Sequence, residues 1–194
     1  MNTGSAGNVD LRGFSKLEVV DFGNSTIGVF NAPYTAKEIY ATNVSELYLE
    51  GCNNIAQENK LDVNYSSILK VSNSSATVYK KILNLVQSKG DEIGSVNIEF
   101  SKVNNGYYEP ESNEFNIIYN LAEQAQSSSF NLTFSGTILK LNATAAEQDE
   151  IESLRSWYGE DFVKTFEDTT EATIICSSSN NTLYEDGVWY GVAG

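Results

Sequence analysis

The sequence predicts an α/β protein in which short parallel strands and their connections repeat along the chain as a solenoid. The first observation is a recurring pair of alternating apolar residues, such as Leu47 and Leu49, which is typical of a strand with one buried face. The second is that stretches with apolar residues three and four positions apart separate the later strands. A strand, a helix and a further strand in this order favour a parallel sheet with right-handed crossovers. We therefore expect short coils in the N-terminal half and helix-containing coils in the C-terminal half.

The clearest repeat unit runs from Val44 to Ile55 and reads V-x-x-L-x-L-x-x-C-x-x-I. We expect Leu47 and Leu49 to point inward, Cys52 to fill the turn and Ile55 to close the core. This spacing resembles that of leucine-rich repeats, and the irregular copies are similar to those of bacterial surface and phage-borne proteins. The resemblance implies a leucine-rich-repeat-like solenoid. The weaker copies are Leu17 and Val19 with Phe22 and Ile27, Ile39 and Ala41 with Val44, and Leu61 and Val63 with Ile68.

The second half of the chain predicts three helices that alternate with strands. The first helix has a serine cap and a terminal glycine, and the third begins with a capping box. The predicted elements are a helix at 76–88 between Ser74 or Ser75 and Gly90, a strand at 96–100, a helix after Pro110 and Ser112, a strand at 130–134, a helix that opens with Thr144 and Glu147 and ends before Gly159, and a strand at 172–176.

Three segments follow from this pattern. Residues 1–13 are rich in glycine and are expected to cap the first coil, and residues 14–176 form the solenoid. Residues 177–194 are expected to form a hairpin or a junction segment, because an Asp186-Gly187 turn separates two short apolar runs.

The composition excludes several functional classes. The chain has 194 residues with 12 Lys and Arg against 26 Asp and Glu, and the net charge of −14 opposes binding to nucleic acids. No histidine is present, so Ser-His-Asp and Cys-His catalysis and His-containing metal sites are excluded. Phosphate-binding loops and metal-ligand spacings are also missing, so we expect no cofactor and no metal. Apolar runs such as 82–86 are far too short to cross a bilayer, so we expect no membrane insertion.

Paired carboxylates such as Glu109 and Glu111 raise the alternative of glycoside hydrolysis. They lie on expected loops, as other acidic pairs lie on polar helix faces, so we expect no enzymatic activity. Cys52 and Cys176 are far apart in sequence; two buried free thiols are expected, and a distant disulfide stays open as the alternative.

The predicted binding surface is the outward face of the strands, because each buried pair leaves one exposed side chain between its members. Tyrosines on such a face offer amphipathic contact area for a protein or a sugar, although tyrosine also simply favours strands. The predicted binding residues are Tyr40, Thr42, Tyr48, Glu50, Asp62, Asn64, Asn97 and Glu99, in a column that also contains Glu18, Val20, Thr133 and Ser135.

Two functions remain open from the sequence. One is a non-enzymatic recognition or assembly module that binds a protein or glycan partner through the strand face, in adhesion for example. The other is a purely structural virion subunit that is buried against neighbouring subunits. The Asn-, Ser- and Thr-rich composition favours an extracellular or virion protein, and the small, polar residues 1–14 lead us to expect no cleavable signal peptide. A cytoplasmic location also stays open.

Overall fold

The computed structural model describes residues 4–101, 106–127 and 129–165, together with the backbone of two later strands. The protein is α/β with a mostly parallel sheet, which confirms the coarse fold prediction. The strands of the main sheet are β1 Ser5–Asp10, β2 Val19–Asp21, β3 Thr26–Asn31, β4 Glu38–Glu50, β5 Leu61–Ser72, β6 Ser95–Phe100 and β7 Leu132–Gly136. The remaining elements are α1 Ala76–Lys89, α2 Ser112–Ala125, β8 Ile138–Leu139, α3 Ala145–Tyr158, β9 Val163–Lys164, β10 Thr182–Glu185 and β11 Val188–Gly191.

The strands of the main sheet lie side by side in nearly the order in which the chain makes them. The sheet order is β1-β3-β4-β5-β6-β7, every neighbouring pair is parallel, and β2 pairs with the first part of β4. Parallel neighbours need a crossover between them, which α1 provides between β5 and β6 and α2 provides between β6 and β7. A short parallel pair, β8 with β9, follows the main sheet.

The two longest strands correct the expectation of one short strand for each repeat copy. The copy at Ile39 and Ala41 and the copy at Leu47 and Leu49 are two halves of β4, which spans 13 residues. Likewise, the copy at Leu61 and Val63 and its closing residue Ile68 all lie in β5, which spans 12 residues. The pairing of β4 with β5 shifts register twice, between Ala41 and Val44 and between Val44 and Glu46. The irregularity interrupts the alternation of buried residues without ending the strand, and this is why the sequence reads as separate copies.

Of the expected inward pair, Leu17 is partly buried and packs against the core, whereas the inward position expected for Val19 is wrong. Val19 is 51% exposed, whereas Val20, which was expected on the outward column, is 5% exposed. Val20 lies level with the buried Ile39 in the parallel pairing of β2 with β4. Residues at the same level of a sheet point to the same face, so Val20 belongs to the core. The inward positions expected for Leu47 and Leu49 are confirmed, since both side chains are fully buried.

The three predicted helices are confirmed. Ser75 caps α1 and its hydroxyl accepts a hydrogen bond from the Val78 amide, while Gly90 ends the helix. The capping box of α3 is present, since Thr144 and Glu147 exchange hydrogen bonds between side chain and backbone. The apolar faces of these helices pack with the sheet in one hydrophobic cluster.

Cys52 and the two chain ends bear on the remaining expectations. Cys52 is fully buried and free, which confirms the prediction of a buried free thiol at this position. Ile55, which was expected to close the core, is fully buried as well. The segment expected to cap the first coil contributes β1 to the sheet. The strand expected at 172–176 and Cys176 lie outside the described residues. Beyond them, β10 and β11 pair antiparallel, and the predicted Asp186-Gly187 turn lies outside the described residues.

Candidate functional site

The outward face of the main sheet carries the predicted binding residues. Thr42, Asp62, Asn64, Asn97 and Glu99 are exposed, and Tyr40, Tyr48 and Glu50 are partly exposed. Cross-strand pairing places Tyr48, Lys70, Asn97 and Thr133 at one level, and Glu50, Ser72, Glu99 and Ser135 at the next. The structure therefore brings half of the column together as two adjacent rows, namely Tyr48, Asn97 and Thr133 in one row and Glu50, Glu99 and Ser135 in the other. Val20 is buried and leaves the column.

Tyr48 begins the first of these two rows and is held in place by its neighbours. Its hydroxyl donates a hydrogen bond to Glu46 Oε2 at 3.0 Å. The Lys70 ammonium lies 5.6 Å from the centre of the Tyr48 ring, within cation–π distance. Partial burial and the bond to Glu46 raise the pKa of the Tyr48 phenol, so it stays a neutral donor.

Tyr40 repeats this arrangement in the first half of β4. Its hydroxyl donates to Glu38 Oε2 at 2.9 Å, and the Lys60 ammonium lies 3.0 Å from Glu38 Oε1. The bond to Glu38 raises the pKa of Tyr40, and the bond from Lys60 lowers the pKa of Glu38. Asp21 and Asp62 flank Tyr40 at the same level of the sheet.

The two tyrosines share one face of one strand despite the irregularity between them. The buried residues of β4 are Ile39, Ala41, Val44, Leu47 and Leu49. Buried residues normally alternate with exposed ones, but Ala41 and Val44 are three positions apart, and so are Val44 and Leu47. Each of these intervals exchanges the buried and exposed positions, so the second interval restores the pattern that the first one reversed. Tyr40 and Tyr48 therefore both lie opposite the core, roughly 26 Å apart for eight residues of extended strand.

Sequence reasoning missed the residues that position these rings. The signal is the twice-repeated Glu-x-Tyr pattern at Glu38 to Tyr40 and Glu46 to Tyr48, which places both side chains on the same face of a strand. It also missed Lys70, which shares a face with the predicted Asp62 by the same alternation. At the edge of the rows, Arg12 pairs with Asp10 at 2.6 Å and lies 4.0 Å from Glu50.

The carboxylates weighed for catalysis lie elsewhere. Glu109 and Glu111 are exposed and line a cleft between α1 and α2, away from the strand face. Within residues 4–101, 106–127 and 129–165, no three Asp, Glu, His or Cys side chains are grouped closely enough to hold a metal ion.

Every helix in the described part of the chain falls short of the length and apolar character that a membrane-crossing helix requires.

The face as a whole is an open, polar surface with two fixed aromatic rings. Such a surface can form hydrogen bonds and stacking contacts with an extended partner. Comparison with known proteins found no matching family model, no matching curated protein and no matching solved structure.

Proposed function

We propose that the protein is a non-enzymatic recognition or assembly module that binds an extended protein or glycan through the outward face of its parallel sheet. The observation that carries this proposal is the pair of locked tyrosines, Tyr40 and Tyr48, on one face of β4. A ring whose hydroxyl is already held loses little freedom on binding, so its contact area converts efficiently into affinity.

The spacing of the tyrosines supports an extended partner over a small molecule. About 26 Å separates them, and a small-molecule site is instead a concave pocket that encloses its ligand. One cleft in the described residues includes Glu38 and Lys60 beside Tyr40, but its volume of about 180 Å³ is below the roughly 300 Å³ at which small-molecule pockets begin. The other clefts found lie away from the rows around Tyr48.

The wider proposal places this module in a leucine-rich-repeat-like solenoid of an extracellular or virion structure. The sequential, parallel strand order supports a repeating chain, since each strand is added beside the preceding ones. The acidic face, with Glu46, Glu50 and Glu99 around the Tyr48 row, supports the exclusion of nucleic acids.

The test combines binding with oligomeric state. Labelled protein is applied to a panel of immobilised neutral and acidic oligosaccharides and to itself, and its mass in solution is measured by light scattering. Changing Tyr40 and Tyr48 together to Ala is expected to abolish binding or self-association, because truncating a central aromatic contact typically costs about 2 kcal/mol or more.

Tyr34→Ala is the matched control, since Tyr34 is 48% exposed and lies in the connection before β4 rather than in a strand of the sheet. We expect this variant to bind like the unaltered protein, and all variants to keep the same circular dichroism spectrum. Binding that survives the double substitution would place the contact surface elsewhere and contradict the recognition proposal. A large self-assembly that also survives it would favour the alternative, a purely structural virion subunit.

A further inference from the structure

The outward face of the main sheet carries more negative charge than its own cations compensate. Arg12 pairs with Asp10 and approaches Glu50, and Lys60 pairs with Glu38. Lys70 is the only lysine or arginine within the described strands of the main sheet. The outward carboxylates that form no ion pair with any described residue are Asp21, Glu46, Asp62 and Glu99. The face therefore keeps an excess of negative charge.

The two tyrosine positions of β4 differ in the residues that flank them. Tyr48 lies level with Lys70 of β5, whose ammonium lies 5.6 Å from the centre of the tyrosine ring. Tyr40 repeats the strand position and the hydroxyl bond to a glutamate, yet it lies level with Asp62 of β5 and Asp21 of β2. Neighbouring strands are about 4.8 Å apart, so a carboxylate flanks Tyr40 on each side. Tyr48 therefore has a cation of its own, and Tyr40 has carboxylates in its place.

The Tyr40 position lacks the cation that its counterpart holds. Among the described residues, no lysine or arginine lies over the Tyr40 ring. The described residues also offer no hydrogen bond or ion pair to the Asp62 side chain, and Asp21 accepts a bond from the Gly23 amide at 2.7 Å. The contact of Lys70 with Tyr48 shows that a tyrosine on this face accommodates an ammonium group. The same arrangement at Tyr40 points to a cation that a partner supplies.

Charge decides between the partners that this face can hold. A second copy presents the same carboxylates and an acidic glycan carries charge of the same sign, so both are repelled. A neutral glycan leaves the carboxylates without a counter-charge. A metal ion needs several carboxylates around one point, and the described residues contain no such group. A basic polypeptide supplies the complementary charge together with an extended backbone.

We propose that the partner of the strand face is an extended basic segment of another protein, with an arginine side chain that lies on the Tyr40 ring between Asp21 and Asp62. A guanidinium group suits this position because its plane stacks on an aromatic ring while its N–H groups donate to carboxylates. Lys70 repels a second cation at Tyr48, so the segment is uncharged or acidic at that end. This inference rests on the proposed function, since it names the partner of the same face.

The test is a titration of isotope-labelled protein, followed by nuclear magnetic resonance at low ionic strength. The probes are capped peptides of about twelve residues, rich in serine and threonine, whose extended length of about 40 Å spans both tyrosines. They differ only in one central residue, which is arginine, lysine or citrulline, the uncharged analogue of arginine. We expect the arginine peptide to shift the amide signals of Asp21, Tyr40 and Asp62. The lysine peptide should bind less tightly, and the citrulline peptide should bind about tenfold more weakly than the arginine peptide or worse.

Three variants localise the effect. Asp21→Asn with Asp62→Asn is expected to weaken binding of the arginine peptide by about tenfold or more, to the level of the citrulline peptide. Asp62→Lys places a lysine where the Tyr48 row has one, and is expected to abolish the shifts. Glu123→Gln with Glu152→Gln is the matched control, because it removes the same charge as the first variant from exposed positions of α2 and α3. We expect it to leave binding within about twofold.

The proposal is overturned if the arginine and citrulline peptides bind equally or if the arginine peptide shifts no signal of the strand face. Equal losses in the two double variants would show diffuse attraction to an acidic protein and would overturn it as well. If oligosaccharides or a second copy still bind in a way that requires Tyr40 and Tyr48, only the identity of the partner is wrong and the proposed function stands. If that binding does not require the two tyrosines either, both proposals fail.

Discussion

Replacing Glu147 with glutamine removes one charge from an ion pair that the structure buries at the start of α3. Glu147 is 8% exposed and its partner Lys140 is 5% exposed, and Lys140 Nζ lies 3.1 Å from Glu147 Oε1. The Glu147 side chain also accepts a hydrogen bond from the Thr144 amide in the capping box. A glutamine oxygen can still accept that bond, so the substitution isolates the charge.

The magnitude follows from the acidity of the carboxyl group. Burial opposes ionisation, but the Thr144 amide, the Ser112 hydroxyl and Lys140 outweigh it and lower the pKa of Glu147 from 4.5 to about 2. A difference of this size between the unfolded and the folded pKa of one group corresponds to about 3 kcal/mol of folding free energy. Because the folded pKa is the lower one, this contribution is complete above about pH 5 and is lost as the pH falls towards 2.

The assay is urea unfolding of the unaltered protein and of Glu147→Gln between pH 7 and pH 3. At pH 7 we expect the variant to be about 3 kcal/mol less stable, since Lys140 is left buried without its partner. The difference should shrink as the pH falls, because the unaltered protein loses the same charge by protonation.

Two companion variants test the reasoning. Combining Lys140→Met with Glu147→Gln should recover at least about 1 kcal/mol, because no buried charge remains and the new side chain can pack against Phe115. Glu152→Gln, whose side chain is 76% exposed beside Arg155, should stay within about 0.5 kcal/mol of the unaltered protein. A Glu147→Gln deficit that stays constant from pH 7 to pH 3 would refute the assignment of the stability to this charge.

Two further predictions concern buried polar groups. Tyr79→Phe should cost about 1–3 kcal/mol in urea unfolding, because the Tyr79 hydroxyl donates to the Glu99 carbonyl at 2.7 Å and accepts bonds from the Ser74 and Ser101 amides. Tyr65→Phe is its control and should change stability by less than about 0.5 kcal/mol, because the Tyr65 hydroxyl has no partner; equal losses in both would contradict this account. Cys52 should resist thiol reagents at pH 8, because burial raises its pKa to about 12. Rapid labelling at Cys52, located by peptide mass spectrometry, would contradict this prediction. Cys52→Asp should lower the free energy of unfolding by about 3–5 kcal/mol, because it buries a charge without a partner.

The helices were predictable from the sequence because their signals are local. The apolar spacing of α1, its serine cap and Gly90 all lie within one short segment, and the capping box of α3 spans four residues. The strand register near Val20 was not predictable in this way. Val19 and Val20 are equally apolar, and only the pairing with Ile39 decides which of them is buried.

The candidate sites also divide into features that local sequence predicts and features that depend on contacts between distant parts of the chain. Tyr40 and Tyr48 follow from alternation along one strand, so sequence reasoning found them. Asp21 comes from another strand, and only the pairing of β2 with β4 places it beside Tyr40. The burial of Lys140 with Glu147 also depends on how α2 and α3 approach each other, and charged residues are seldom buried, so composition predicts the opposite.

The nearly sequential order of the strands has a consequence for how such a chain tolerates growth. Each new strand needs only the edge left by earlier ones, so a connection can lengthen without disturbing the pairs already made. The connections at residues 32–37 and 101–131 differ about fivefold in length, yet closing the longer one costs only about 1.5 kcal/mol more in chain entropy. Insertions at these crossovers should therefore cost little folding free energy. A single-residue deletion inside β4, by contrast, would turn half of its side chains to the wrong face.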